Sequence, residues 1–518
     1  MAYKPLPWGA GALLRKEISM TLKKRRMILQ VKRRRRSDMR HVVLVACTII
    51  MAGCMIGPNY QRPVVDKPDS FRYAAKEVQD TSNLSWWRQF QDPVLDGLIN
   101  EALANNKNVK IAAANIEQAA GVLTQVRSPL FPQVSYGGSA ARQRGSEMNA
   151  TPIPASVANP QNAFQLFAGA TWEIDLWGRI RRLSESAQAN LLATEEARRG
   201  VILSLVASVA STYIQLCGLD EQLLIAKNDM ISYGEAVKLF ELQFKYGQVS
   251  RMTVEQARTR YETAAATIPQ IESQIVQTEN ALSILLGRNP GPIARGKSLR
   301  ELAMPSIPSG LPSQLLERRP DIVQAEQNLI NANAQVGAAQ ALYFPTISLT
   351  GSYGQASDDL SNLFKGPARQ WSYSGSITGP IFTAGAISGQ VQQAEAARKA
   401  ALLAYESSIQ SAFADVENAL IARTKVAEQL QAQRRLVDAA REYTRLAKLK
   451  YKGGYVPYST VLQAEEQLFP AELNYVQYNA SLYTSLINIY KAMGGGWVAE
   501  ADKLSAQKDE QGKKEVRK

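Results

Sequence analysis

The sequence predicts an α+β membrane protein in which short strand segments alternate with very long helices, the whole plan occurring twice. Three observations predict it. Two stretches of more than sixty residues contain no proline, four strand-like segments of about ten residues fall in two pairs, and a series of motifs recurs some 210 residues apart.

The chain opens with a segment that belongs to export rather than to the fold. It has 518 residues and a formal net charge of +14, and residues 1–53 hold 13 Lys and Arg against 2 Asp and Glu, leaving +3 for the rest. Basicity confined to the first tenth of a chain argues against nucleic-acid binding, which places its positive charge on the folded part. Lys32, Arg33, Arg34, Arg35, Arg36 and Arg40 form a positive region, and Val42 to Ala52 is an apolar run of 11 residues, too short to span a bilayer. It ends in Met51-Ala52-Gly53-Cys54, which resembles a bacterial lipobox and implies cleavage before Cys54 and lipidation of that cysteine. Met55 follows instead of Asp, which by the same resemblance points to the outer membrane.

Beyond the signal the two halves match. Leu130-Phe131-Pro132-Gln133-Val134-Ser135 corresponds to Tyr343-Phe344-Pro345-Thr346-Ile347-Ser348 at an offset of 213, and Leu285-Leu286-Gly287 to Ala492-Met493-Gly494 at 207, so a short insertion separates them. Strands are expected at Val134–Ala140, Phe164–Leu176, Thr346–Gln355 and Trp371–Ile381, each alternating or glycine-rich. Roughly 10 residues suffice for a tilted strand to cross a bilayer. The loops at 145–162 and 356–370 are rich in Ser, Asn, Pro and Gly and read as surface turns. No apolar run after residue 55 is long enough to suggest a helical span.

Long helices are expected at Arg179–Tyr246 and Ile387–Lys452, 68 and 66 residues. At 1.5 Å per residue each would extend about 100 Å. Leu203, Val206, Ala210, Tyr213 and Cys217 recur at spacings of 3 and 4, as do Ile409, Phe413, Val416 and Leu420, the seam of a coiled coil. Cys217 on that seam reads as a small buried knob. Shorter partner helices follow each break, and helices at Val94–Val126 and Leu311–Leu342 precede each strand pair. Trp172, Trp177 and Trp371, in or beside strands, are candidates for an interfacial aromatic girdle.

Four strands cannot close a membrane barrel, and an open edge in lipid leaves backbone groups unpaired. The strands must therefore be completed by those of other copies.

Several spaced motifs then resemble the outer membrane factor family, in its lipoprotein branch of efflux channels. They are Cys54 to Pro63; Trp86-Trp87 with Phe90 and Asp92-Pro93; Gly310-Leu311-Pro312-Ser313 with Arg318-Arg319-Pro320-Asp321-Ile322; and Gly494-Gly495-Gly496-Trp497. The resemblance covers residues 54 to 497. It implies a homotrimer whose 12-stranded β-barrel, four strands per chain, continues into a periplasmic α-helical barrel. It also implies passive efflux, with an inner-membrane transporter supplying energy, a periplasmic adaptor as link and outer-membrane lipids around the barrel. The expected division is 1–53 extension and signal, 54–310 first repeat with its N-terminal segment, 311–497 second repeat, and 498–518 a disordered tail.

The family docks its adaptor through the helix breaks, which here fall at Tyr246, Gly247 and Val249 and at Gly453, Gly454 and Val456. It closes its periplasmic aperture with polar side chains just past the second break, matching Thr460 and Gln463, where relatives often carry carboxylates. Arg251, Glu255 and Tyr458 are nearby alternatives. Arg318, Arg319 and Asp321 read as a helix-start cluster. The only histidine is His41, inside the signal, so the mature part lacks the usual general base and commonest metal ligand. No cofactor or metal is expected, and an envelope enzyme is disfavoured. The rival readings are a duct for type I protein secretion, sharing the fold, and a coiled-coil envelope scaffold without a pore.

Overall fold

The computed structural model describes residues 55–65, 71–73, 85–148, 153–154, 158–306 and 316–494. His41, Cys47, Cys54, the motif from Gly310 to Leu315 and residues 495–518 lie outside these, as do the expectations attached to them. The chain divides into two compact units, one of residues 1–58, 126–184 and 334–392, the other of 59–125, 185–333 and 393–518.

The first unit holds one antiparallel sheet in the order β1-β2-β3-β4, with β1 Gln133–Gln143, β2 Gln161–Ile174, β3 Thr346–Ser357 and β4 Arg369–Thr378. The sequence grouped these strands as two pairs, one in each half. In the structure β2 also pairs with β3, from Phe164 opposite Ser357 to Ile174 opposite Ile347. β2 stops before the expected Leu176 because Asp175 turns to cap the next helix, accepting from the Ile180 and Arg181 amides at 3.0 and 2.9 Å. β4 stops at Thr378, short of the expected Ile381, because Gly379-Pro380 follows and proline donates nothing to a ladder.

Among the described residues seven α-helices have assigned ranges: α1 Pro93–Asn105, α2 Lys107–Arg127, α3 Arg179–Lys245, α4 Arg251–Leu285, α5 Pro320–Gln340, α6 Ala386–Lys452 and α7 Tyr458–Ala492. α3 and α6 both have 67 residues, and α4 and α7 both 35, each pair starting 207 apart. α2 and α5 both have 21 residues and start 213 apart. The six-residue difference lies in the strand-connecting loops, 144–160 against 358–368.

Two helix expectations need correction. The single helix expected over Val94–Val126 is broken at Asn106, whose side chain accepts from the Asn108 and Val109 amides at 2.8 and 3.2 Å and donates to the Leu285 carbonyl at 2.8 Å. That is N-capping of α2, and the Asn-Asn-Lys-Asn run signals it. The helix expected from Leu311 is described only from Pro320 as α5, and a short 3-10 turn, Ala341–Tyr343, replaces its last residues.

The second unit's core is built from the helical seams and the aromatic segment ahead of α1. Trp86, Phe90, Leu95, Ile99, Ile202, Val206, Tyr213, Ile487 and Tyr490 are fully or nearly fully buried in one cluster. Trp86 stacks on Tyr490 with centroids 5.2 Å apart. Asp92 sits inside that cluster, accepting from the Val94 amide, the Tyr213 hydroxyl and the Lys297 amide at 2.9, 2.8 and 3.2 Å. Among the described residues one stretch of α3 is long and apolar enough by composition to cross a membrane. Its side chains, Ile202, Val206, Val209 and Tyr213 among them, are core, so the stretch belongs to packing. Cys217 is buried there as expected, and burial pushes its thiol up to about 12.

Candidate functional site

Two surfaces stand out, one in each unit. The first is the sheet, whose two faces differ in chemistry. Residues directly opposite in an antiparallel pair share a face, so the registers sort every side chain. One face gathers Val134 and Tyr136 opposite Ala170 and Ala168, Trp172 opposite Leu349, and Tyr353 and Ile347 opposite Trp371 and Ile377. The other gathers Gln133, Ser135, Thr171, Thr350 and a serine ladder, in which Ser348 meets Ser376 at 2.7 Å and Ser352 meets Ser372 at 2.8 Å. The apolar face is bare: Tyr136 is 90% exposed, Tyr373 80% and Ile377 72%. β1 and β4 each have one side without a strand partner among the described residues.

The girdle candidates separate. Trp172 and Trp371 both lie on the apolar face, Trp172 opposite Leu349 and Trp371 opposite Tyr353. Trp371 stacks on Tyr373 at 5.7 Å, and Trp172 donates to the Leu130 carbonyl at 3.1 Å. Trp177 is past the end of β2, its ring 4.8 Å from Phe344 and its indole N–H on the Pro345 carbonyl at 2.8 Å.

The second surface is the pair of helix breaks, and they share one construction. At the end of α3, Gly247 has φ +73°, its amide donates to the Phe244 carbonyl, and the Gln248 amide reaches back to Gln243, both at 2.9 Å. At the end of α6, Gly454 has φ +76°, with the same bonds to Tyr451 and from Tyr455 to Lys450, both 3.0 Å. This is the Schellman closure, which needs a left-handed residue and therefore favours glycine. Three residues on, Ser250 and Pro457 open α4 and α7. Tyr246 and Tyr455 are exposed, 70% and 83%. Val249 packs beside Phe240, Val254 and Ala257, whereas Val456 is half-buried and Gly453 lies against the Tyr455 ring.

Behind the tips the structure joins residues that the sequence kept apart. Phe240, Tyr451 and Tyr458 form an aromatic knot, with Phe240 4.3 Å from Tyr458 and Tyr451 5.4 Å from it. Burial first, then Glu465, pushes the Tyr458 hydroxyl up. Tyr458 is thus a packing residue with a polar end. Arg251 and Glu255 pair along α4 itself at 3.6 Å; near the tip Arg258 pairs across to Glu241 of α3 at 2.7 Å. Thr460 is half-buried and Gln463 exposed. The carboxylates lie just beyond, where the sequence reading missed them: Glu466 meets Arg260 of α4 at 2.9 Å, and buried Glu465 meets Lys448 of α6 at 2.8 Å. Only their adjacency to Gln463 could have flagged them, since Arg260 lies in the other half of the chain and Lys448 across the second break.

A family model described as outer membrane efflux protein matches residues 98–288 and 311–495. The probable efflux pump outer membrane protein TtgC of Pseudomonas putida is 36% identical over 471 residues, covering 90% of this chain and 97% of that protein. The cation efflux system protein CusC of Escherichia coli is 32% identical over 455 residues, covering 87% and 97%. The crystal structure of the open state of the Neisseria gonorrhoeae MtrE outer membrane channel aligns with a TM-score of 0.77 at 32% identity, covering 86% of this chain and 99% of that one.

Proposed function

The chain belongs to the outer membrane efflux protein family, and from that premise we propose how its residues build a channel. It is an outer-membrane efflux protein. The observation that carries the reading further is the four-stranded sheet with one apolar face, one hydroxyl-rich face and two open edges. Apolar side chains facing outward and polar ones inward is the pattern of a transmembrane barrel. In lipid each unpaired edge group would cost several kcal/mol, so β1 and β4 meet the strands of neighbouring copies. Three copies supply twelve strands, enough for a barrel with an open interior. The equal lengths of α3 and α6, and of α4 and α7, support two internal repeats, whose helices from three copies form the periplasmic tube.

Cys54 is the lipid anchor in this reading. The residues after it are held at the junction of β2 and α3: Ile56 donates to the Trp177 carbonyl at 3.1 Å, and Arg182 donates to the Ile56 and Gly57 carbonyls at 3.0 Å each. An acyl-bearing cysteine immediately before Met55 would therefore be fixed at one end of the sheet. Several acyl chains on one terminus hold a protein in a bilayer far more firmly than one.

The tips around Gly247 and Gly454 are the adaptor contacts, and an inner-membrane transporter drives solutes that the channel conducts passively. Thr460 and Gln463, with Glu466 and Arg260 beside them, form the periplasmic constriction. One relative is named for an efflux pump and another for cation efflux, which supports a transport role. The test is the purified full chain in detergent and in planar bilayers. A three-chain mass with stable conductance supports the reading; a single-chain mass with no conductance overturns it.

A further inference from the structure

A trough of about 1120 Å³ runs between α3, α4 and α7, with α6 at its margin, all within the second unit. Its lining contains no ionisable side chain, although charged residues make up 20% of the chain. Six glutamines dominate it, Gln215, Gln222, Gln270, Gln274, Gln277 and Gln477, among serines, threonines and asparagines. α7 carries no Asp, Glu, Lys or Arg from Leu473 to Tyr490.

The charges of these helices have not been lost but turned aside. Asp220, Glu221, Glu272, Glu279 and Glu472 each neighbour a lining residue in sequence, and none lines the trough. Each is tied to a cation instead: Asp220 and Glu279 to Arg295 at 2.7 and 2.5 Å, Glu221 to Arg300, Glu272 to Lys227 at 3.0 Å and Glu472 to Arg441 at 2.8 Å. A subunit contact would call for apolar side chains, and an ordinary outer surface for mixed charge. A concave, wettable and uncharged surface fits neither. It fits a wall past which solutes must slide without being held.

We propose that this trough is part of the conduit's inner wall, and that its glutamine-rich lining makes passage there indifferent to solute charge. Amides and hydroxyls offer donors and acceptors to hydrated cations, anions and neutral amphiphiles alike. A ring of like charges would concentrate one sign and exclude the other. The proposal rests on the channel reading above and specifies the solute classes it admits.

The test uses the full-length protein reconstituted in planar bilayers under a salt gradient, with Gln274→Cys as the handle. The charge is added after assembly, by a positively or a negatively charged methanethiosulfonate. Native Cys217 is buried with its thiol pushed up, so it stays silent. The cation-to-anion permeability ratio should change by about two-fold or more, in opposite directions for the two reagents, and the change should fade in molar salt. Gln477→Glu and Gln477→Lys should repeat the pattern without chemical modification. Persisting conductance that neither reagent nor either substitution alters would overturn the wall assignment. Absence of conductance in the unmodified protein would instead sink the channel reading beneath it.

Discussion

Arg319 should behave as a structural clamp whose loss is felt in stability before transport. Its side chain is 9% exposed. It donates twice to Asp321, through Nε at 3.0 Å and Nη2 at 2.6 Å, and Nη2 also reaches Asp415 at 2.9 Å. Nη1 donates to the Ala492 carbonyl at 2.9 Å and to that of Ala412 at 3.5 Å. One guanidinium thus ties the start of α5 to α6 and to the end of α7. Arg319→Ala strands the buried Ala492 carbonyl at the end of α7, at about 1–3 kcal/mol, while the Ala412 carbonyl keeps its helical partner within α6. The two carboxylates it abandons are 51% and 56% exposed, so water can replace the arginine, and the loss stays below that of a fully buried ion pair. With the partly exposed carboxylates added, the loss is about 2–3 kcal/mol for Arg319→Ala. Arg319→Lys keeps the charge but not the planar fork, and should cost about 1–2 kcal/mol. Thermal unfolding of the purified protein in detergent measures both, with Lys intermediate between wild type and Ala. An Arg319→Ala protein with an unchanged midpoint but abolished efflux in cells would refute the reasoning, because it would make Arg319 a solute contact.

Two further outcomes follow from the helices. Burial, then repulsion from Glu472 and Glu465, with Lys448 opposing, raises Asp229 from 3.8 to about 6. The folded chain therefore holds a proton that the unfolded chain has released, so this contribution is complete below about pH 4 and is lost as pH rises through 6. After discounting for partial exposure it amounts to about 1–2 kcal/mol. Asp229→Asn should flatten the fall in thermal midpoint between about pH 4 and pH 6.5, and an identical slope in both proteins would contradict the assignment. At the second tip, Gly454 has φ +76° with open space where a Cβ would stand. Gly454→Val should cost about 1–2 kcal/mol of backbone strain, while Gly454→Asn should recover most of it. Limited proteolysis at the tip and the unfolding midpoint would show whether Val and Asn differ.

Legibility from sequence followed the range of the signal. The long helices were read to within a residue because glycine and proline punctuate their ends: α3 stops two residues before Gly247 and α6 immediately before Gly453. Alternation identified all four strands. It could not reveal that β2 pairs with β3, since Phe164 and Ser357 are joined by register across the whole intervening chain. The break at Asn106 was written in its neighbours but overridden by helical periodicity on both sides. The tip residues were placed by their glycines, whereas the pairs behind them were not: Arg260 and Glu466 meet only through packing of α4 against α7. The trough is hidden for the same reason, because its lining is spread over four helices and its defining property is the charge each helix keeps off one face.

Completion of the sheet by other copies of the chain is most directly tested by disulfide trapping across the open edges. A single cysteine at Tyr136 on β1 would be combined, in a Cys217→Ala background, with single cysteines stepped along β4 from Trp371 to Ile377. Mild oxidation in outer membranes should give dimer and trimer bands on denaturing gels for one register and its near neighbours. Bands of one chain only, at every step, would contradict the shared barrel.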